Sequence, residues 1–104
     1  DGKYSYSKII AIKKLKANDL SIYIYPNPVR DLLKVEIDLS EKDDVLVEVL
    51  DATGKVVMHQ PFGGKMKAGR SNEILNTEML TSGNYVIRIK TSQTVVSKKF
   101  TVAK

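Results

Sequence analysis

Leu33-Lys34-Val35-Glu36-Ile37-Asp38-Leu39 alternates apolar and charged side chains without a break. Successive side chains of a strand point to opposite faces, so this stretch is a strand with one dry face and one wet face. Val45, Val47 and Val49 repeat the pattern a few residues on. Asp51-Ala52-Thr53-Gly54-Lys55 then reads as a turn, with Gly54 where a positive φ is tolerated, and Val56, Val57 and Met58 return as the hairpin partner. Further along, Tyr85, Ile87 and Ile89 alternate with Val86, Arg88 and Lys90. Thr91-Ser92-Gln93-Thr94 is a polar turn, and Val95 to Val102 comes back as the last strand.

Working outward, Ser21 to Tyr25 is a short strand that stops at Pro26. Tyr4 to Lys14 is rich in Tyr and Ile, which favours extended structure. The polar stretch between them reads as a linker, with residues 17–20 at its centre. Pro61, Gly63, Gly64 and Gly69 mark residues 61–73 as a long loop. Glu73 to Leu80 reads as one more short strand or a single helical turn. The expected fold is therefore all-β: an antiparallel immunoglobulin-like β-sandwich of about seven short strands.

Composition narrows the function classes. The chain has 104 residues, 42% of them hydrophobic, which suits one domain with a core of its own. No run approaches the roughly 18 apolar residues of a helical membrane span. There is no cysteine, hence no disulfide, thiolate metal site or cysteine nucleophile. The chain opens on Asp1 without an apolar signal-peptide core nearby, which reads as a piece of a longer protein. The formal charge of +5 is uneven: residues 1–16 carry +4, residues 17–78 carry −4, and residues 79–104 carry +5 with no acid. A nucleic-acid binder would show a continuous basic face interleaved with aromatics, and no nucleic-acid partner is expected.

Nothing in the sequence assembles a catalytic centre, and no enzyme activity is expected. His59 is the single histidine and sits at a strand end, as a surface residue does. Glu41, Asp43 and Asp44 form one acidic cluster, whose spacing does not match the established calcium loop and which reads as a solvated turn. No metal and no cofactor are expected.

Tyr25-Pro26-Asn27-Pro28-Val29 is the most distinctive string. Two prolines in three positions fix two φ angles and remove two backbone donors, which makes a stiff, extended corner. The string stands first in a larger series. The strand from Leu32 to Leu39 follows it, then Val47-Glu48-Val49-Leu50-Asp51-Ala52-Thr53-Gly54-Lys55-Val56-Val57. Leu80-Thr81-Ser82-Gly83-Asn84-Tyr85-Val86-Ile87 comes next, and Lys99-Phe100-Thr101-Val102-Ala103-Lys104 ends the chain. From Ser21 to Lys104 this order resembles the C-terminal sorting domain (type A) of cargo proteins of the bacterial type IX secretion system.

The resemblance implies an address label. It implies an outer-membrane translocon, a shuttle protein that binds the C-terminal signal, and a sortase-like cysteine protease that cuts upstream of the domain. It further implies cargo exported through the periplasm to the cell surface or released, any lipopolysaccharide attachment being on the cargo. The recognition residues it points to are Lys98, Lys99, Phe100, Val102 and Lys104, with Phe100 and Val102 also reading as core. Pro26, Asn27, Pro28, Gly54, Gly83 and Tyr85 read as structural: Gly83 for a tight bend, Tyr85 for a buried ring with one hydrogen bond on its hydroxyl. The linker Lys16, Ala17, Asn18, Asp19, Leu20 is the expected place for the cut, since proteolysis needs an extended, accessible backbone. Residues 1–16 read as the last strand of a preceding domain or as an extra first strand, and residues 21–104 as the sorting domain. A terminal strand with unpaired backbone groups could add to a partner's β-surface. The alternative reading is an immunoglobulin-like or fibronectin-like binding or adhesion module, or a passive stalk, since sandwiches host many functions.

Overall fold

The computed structural model describes residues 20–104; the strand-like reading of Tyr4 to Lys14 and the linker positions Lys16, Ala17, Asn18 and Asp19 lie outside the described residues. Eight strands follow in order: β1 (Leu20–Tyr25), β2 (Leu32–Leu39), β3 (Asp43–Asp51), β4 (Val56–His59), β5 (Gly64–Met66), β6 (Gly69–Asn76), β7 (Gly83–Lys90) and β8 (Val95–Val102). They form two antiparallel sheets. One runs β1-β2-β6 and the other β4-β3-β7-β8, with β5 also paired to β3. The result is an all-β, immunoglobulin-like sandwich.

Alternation in the sequence becomes the core. Leu33, Val35, Ile37 and Leu39 of β2 face Val45, Val47 and Val49 of β3 and Ile87 and Ile89 of β7 across the interior, all buried. A slip of one residue would turn the β2 row to water and bring Lys34, Glu36 and Asp38 inside, so the pattern itself fixes the register. The hairpin between β3 and β4 closes as expected. Gly54 has φ +92° and its N–H donates to Asp51 O at 3.0 Å. The Asp51 carboxylate accepts from Thr53 N, Thr53 Oγ1 and Lys55 N at 2.6–3.0 Å, an internal cap that holds its own charge in place. These bonds, first that from Thr53, hold the Asp51 carboxyl below the usual range.

The stretch read as a long loop is instead two strands. β5 pairs with the start of β3, from Asp43↔Met66 to Val45↔Gly64, and β6 pairs with all of β2. The core-facing positions of β6 include Gly69, Ser71 and Glu73, while Ile74 points outward and is 61% exposed. Its own alternation is weak: Leu75, fully buried, is the one large apolar side chain of β6 on the inner face, and the ladder to β2 supplies the rest of the support. Residues 77–80 then make a turn, closed by Leu80 N donating to Thr77 O at 2.9 Å. Gly83 opens β7 opposite Val102 with φ +157°, directly after the bend at Ser82. Leu20, expected in the linker, belongs to β1, pairs with Leu39 and packs against the core.

Two side-chain amides complete the ladders where backbone is missing. Between β4 and β5, Gln60 Oε1 accepts from Val47 N at 2.8 Å and Gln60 Nε2 donates to Val45 O at 2.9 Å. Gln60 reaches this place with φ +50°. Gly63 is folded over it at φ +121°, where a Cβ would lie 2.6 Å from Val45 O and 2.8 Å from Gln60 Nε2. The second such amide is Asn27.

Candidate functional site

The site to be built is the end of β8, where the sequence places its recognition residues. Phe100 and Val102 point inward and are each about 1% exposed. Phe100 stacks on Tyr85 with centroids 5.8 Å apart, and the Tyr85 hydroxyl donates to Thr81 O at 2.7 Å. The ring is buried and its polar tip satisfied, as such rings require. These two side chains are core, and what β8 exposes near them is Lys98 and Lys99.

One edge of β8 pairs with β7 along its full length, from Gly83↔Val102 to Lys90↔Val95. The other edge is closed near the C-terminus by the Tyr25–Val29 segment. Val29 N donates to Thr101 O at 2.8 Å and Ala103 N donates to Val29 O at 2.9 Å, a parallel bridge between Val29 and Val102. One step back, Thr101 N donates to Asn27 Oδ1 at 3.0 Å and Asn27 Nδ2 donates to Lys99 O at 3.4 Å. Pro26 and Pro28 have no N–H to give. The carboxamide between them supplies both a donor and an acceptor, and stands in for the missing peptide group. Both prolines follow cis peptide bonds, and residues 26–28 bend rather than run extended, because the chain must leave β1 and turn alongside β8. The buried Val29 side chain anchors the return.

The last residue is held as well. Lys104 N donates to Ser82 Oγ at 3.1 Å. Its ammonium donates to Thr77 O and Glu78 O, both at 3.2 Å, and lies 3.9 Å from Asp31 Oδ1. Thr77 is fully buried, and its N–H donates to Asp31 O at 2.7 Å, so the β1–β2 loop and the turn after β6 form one cradle. Lys98 and Lys99 differ: both are exposed, and neither forms an ion pair with a described residue.

Beside β8, the outer face of its sheet forms an open groove of about 610 Å³, with Asn27 at one end and Val86, Arg88, Ser97 and Lys99 along it. Arg88 is not a free cation there. Its Nη2 and Nε donate to Glu48 Oε1 at 2.6 and 3.1 Å across the β3–β7 pair. The guanidinium holds the Glu48 carboxyl below the usual carboxylate range, against the opposing effect of burial. His59 is largely exposed, 3.9 Å from Glu48.

The acidic cluster does not converge on a cavity. Asp43 begins β3 and its carboxylate accepts from Ser92 Oγ at 2.8 Å, tying β3 to the β7–β8 turn and lowering its own pKa. Among the described residues no group of histidine, aspartate and glutamate is arranged to hold a metal. Sequence reasoning missed the cradle of Lys104 and the pairing partner of Asn27. Its one handle was the Pro-Asn-Pro order, which leaves the carboxamide as that tripeptide's most versatile hydrogen-bonding group.

Fold and site together define a small β-sandwich whose terminal strand is clamped by its own first loop, with an exposed basic pair beside the open part of the edge. The family described as "Secretion system C-terminal sorting domain" matches residues 23–103, and the chain belongs to it. It is a sorting domain of type IX secretion, and membership marks the protein carrying it as one exported across the outer membrane. No curated protein and no solved structure matches the chain.

Proposed function

We infer that the folded sandwich is the address itself: it carries attached cargo to the type IX translocon, engages a shuttle protein through β8, and is then cut off upstream of β1 by a sortase-like cysteine protease. The observation that supports this most is the match over residues 23–103, which takes in both the Tyr25–Val29 clamp and the strand it closes. The cut falls before Leu20, since that residue is paired and packed while proteolysis needs free backbone. Lys16 to Asp19 are the proposed stretch. Surface attachment or release is then the fate of the cargo, and any lipopolysaccharide is joined to the cargo's new end. The signal residues in this reading are Lys98 and Lys99 on the surface, with Phe100, Val102 and Lys104 holding the strand that presents them.

The test is a reporter with this chain at its C-terminus, made in a bacterium that has the type IX system. The expected result is reporter outside the cell, its C-terminus ending upstream of Leu20. Reporter retained in the periplasm with the chain intact would favour the adhesion or stalk reading.

A further inference from the structure

The clamp divides the outer edge of β8 in two. In an antiparallel strand, alternate residues direct both backbone groups to the same side. Thr101 N and O face the clamp, so Lys99, Ser97 and Val95 face the same way. Lys99 O is taken by Asn27. Among the described residues the backbone groups of Val95 and Ser97, and the Lys99 N–H, have no partner. We propose that this open half of the β8 edge, from Val95 to Lys99, is the docking surface, and that its occupant is an extended, acidic segment of an export protein that pairs as an added strand. This rests on the sorting reading and specifies where on the domain recognition takes place.

Charge selects this edge and this occupant. β4 and β5 are four and three residues long, β1 has no charged side chain, and β6, the other edge of its sheet, carries one charge of each sign, Arg70 and Glu73. β8 carries Lys98 and Lys99, unpaired among the described residues, in a stretch from residue 79 onward without any acid. The nearby acids are already engaged: Glu48 with Arg88, and Asp51 with its own turn. An added strand would place alternate side chains beside Ser97 and Lys99 at the groove, where a carboxylate meets the unpaired Lys99 ammonium. A second copy of the chain fits worse, because β8 against β8 brings like-charged lysines together. The terminal half, Lys99 O to Ala103 N, is not available to a partner while the clamp is closed.

The experiment compares Ser97→Pro with Ser97→Ala in the reporter fusion and in the purified chain. Proline removes an outward N–H and leaves the β7 ladder intact, a substitution edge strands accept. Ser97→Pro is expected to melt cooperatively and to lower export at least tenfold, while Ser97→Ala, which keeps the outward N–H, retains clearly more export than Ser97→Pro. A folded Ser97→Pro chain that exports normally overturns the docking surface and leaves the sorting reading standing. An unsubstituted fusion that fails to export overturns the sorting reading, and the docking surface with it. If Ser97→Pro does not fold, Lys98→Glu with Lys99→Glu decides: the same loss of export supports the acidic occupant, and full export overturns it. Sedimentation showing a dimer that Ser97→Pro dissolves would identify a second copy as the occupant and overturn the proposal.

Discussion

Asn27→Ala separates a clamp from a mere corner. The substitution removes the acceptor of Thr101 N–H, at 3.0 Å, and the donor to Lys99 O, at 3.4 Å. A net hydrogen bond contributes about 0.5–1.5 kcal/mol, and the longer of these two lies at the limit of a useful contact. The expected cost is therefore about 1 kcal/mol, roughly a fivefold change in the folding equilibrium. For a domain of this size that lowers Tm by roughly 4–8 °C. Local exchange is the sharper assay. The Thr101 amide has Asn27 as its partner, whereas the Val29 and Ala103 amides are held by backbone carbonyls. In Asn27→Ala the Thr101 amide should exchange much faster while Val29 and Ala103 stay protected, since the bridge at Val29 survives. Asn27→Asp keeps the acceptor and should keep Thr101 protected. Equal Thr101 exchange in Asn27→Ala and the unsubstituted chain, with unchanged Tm, would refute the clamp.

Gly63→Ala places a Cβ 2.6 Å from Val45 O at φ +121°, and should cost about 2 kcal/mol, read as a lower urea midpoint. Phe100→Ala empties a fully buried aromatic site and should cost about 3–5 kcal/mol, enough to unfold a marginal domain, so its failure to export would report folding rather than recognition. Glu48, Asp43 and Asp51 all have lowered native pKa values, first through Arg88, Ser92 and Thr53 respectively. Their contribution is present above the unfolded carboxylate pKa of about 4 and is lost as pH falls through the lower native values. The urea midpoint should therefore be level near neutrality and fall on acidification, with a shallower fall in Glu48→Gln. A midpoint that rises toward low pH would contradict these pairings.

Strands β2, β3, β7 and β8 were legible because each carries its own buried row, and the turn at Asp51–Lys55 because glycine and aspartate do local work there. β6 was half legible: its end, from Glu73, lies in the stretch that reads as a short strand or helical turn, while its start reads as loop, since Ser71 and Glu73 face inward and Ile74 faces water. Beyond the buried Leu75, the neighbouring β2 ladder makes it a strand. β5 was lost for a related reason: three residues, the first of them Gly64 with Gly63 just before it, carry no period. Leu20 looked like linker because its partner, Leu39, is 19 residues away in sequence. The site divided in the same manner. Tyr85 and Phe100 showed themselves as core by chemistry and place. The pairing of Asn27 with Thr101, and the cradle that Thr77, Glu78 and Asp31 make for Lys104, are long-range contacts that no local pattern records.

The most direct test of the sorting claim is the fraction of reporter, fused ahead of this chain, that added protease can reach on intact cells or that appears in the medium. It is compared between a type IX-competent host and the same host without the translocon. Reporter outside the competent cells and trapped inside the translocon-deficient ones is the predicted result; equal amounts in both hosts, inside or outside, would contradict it.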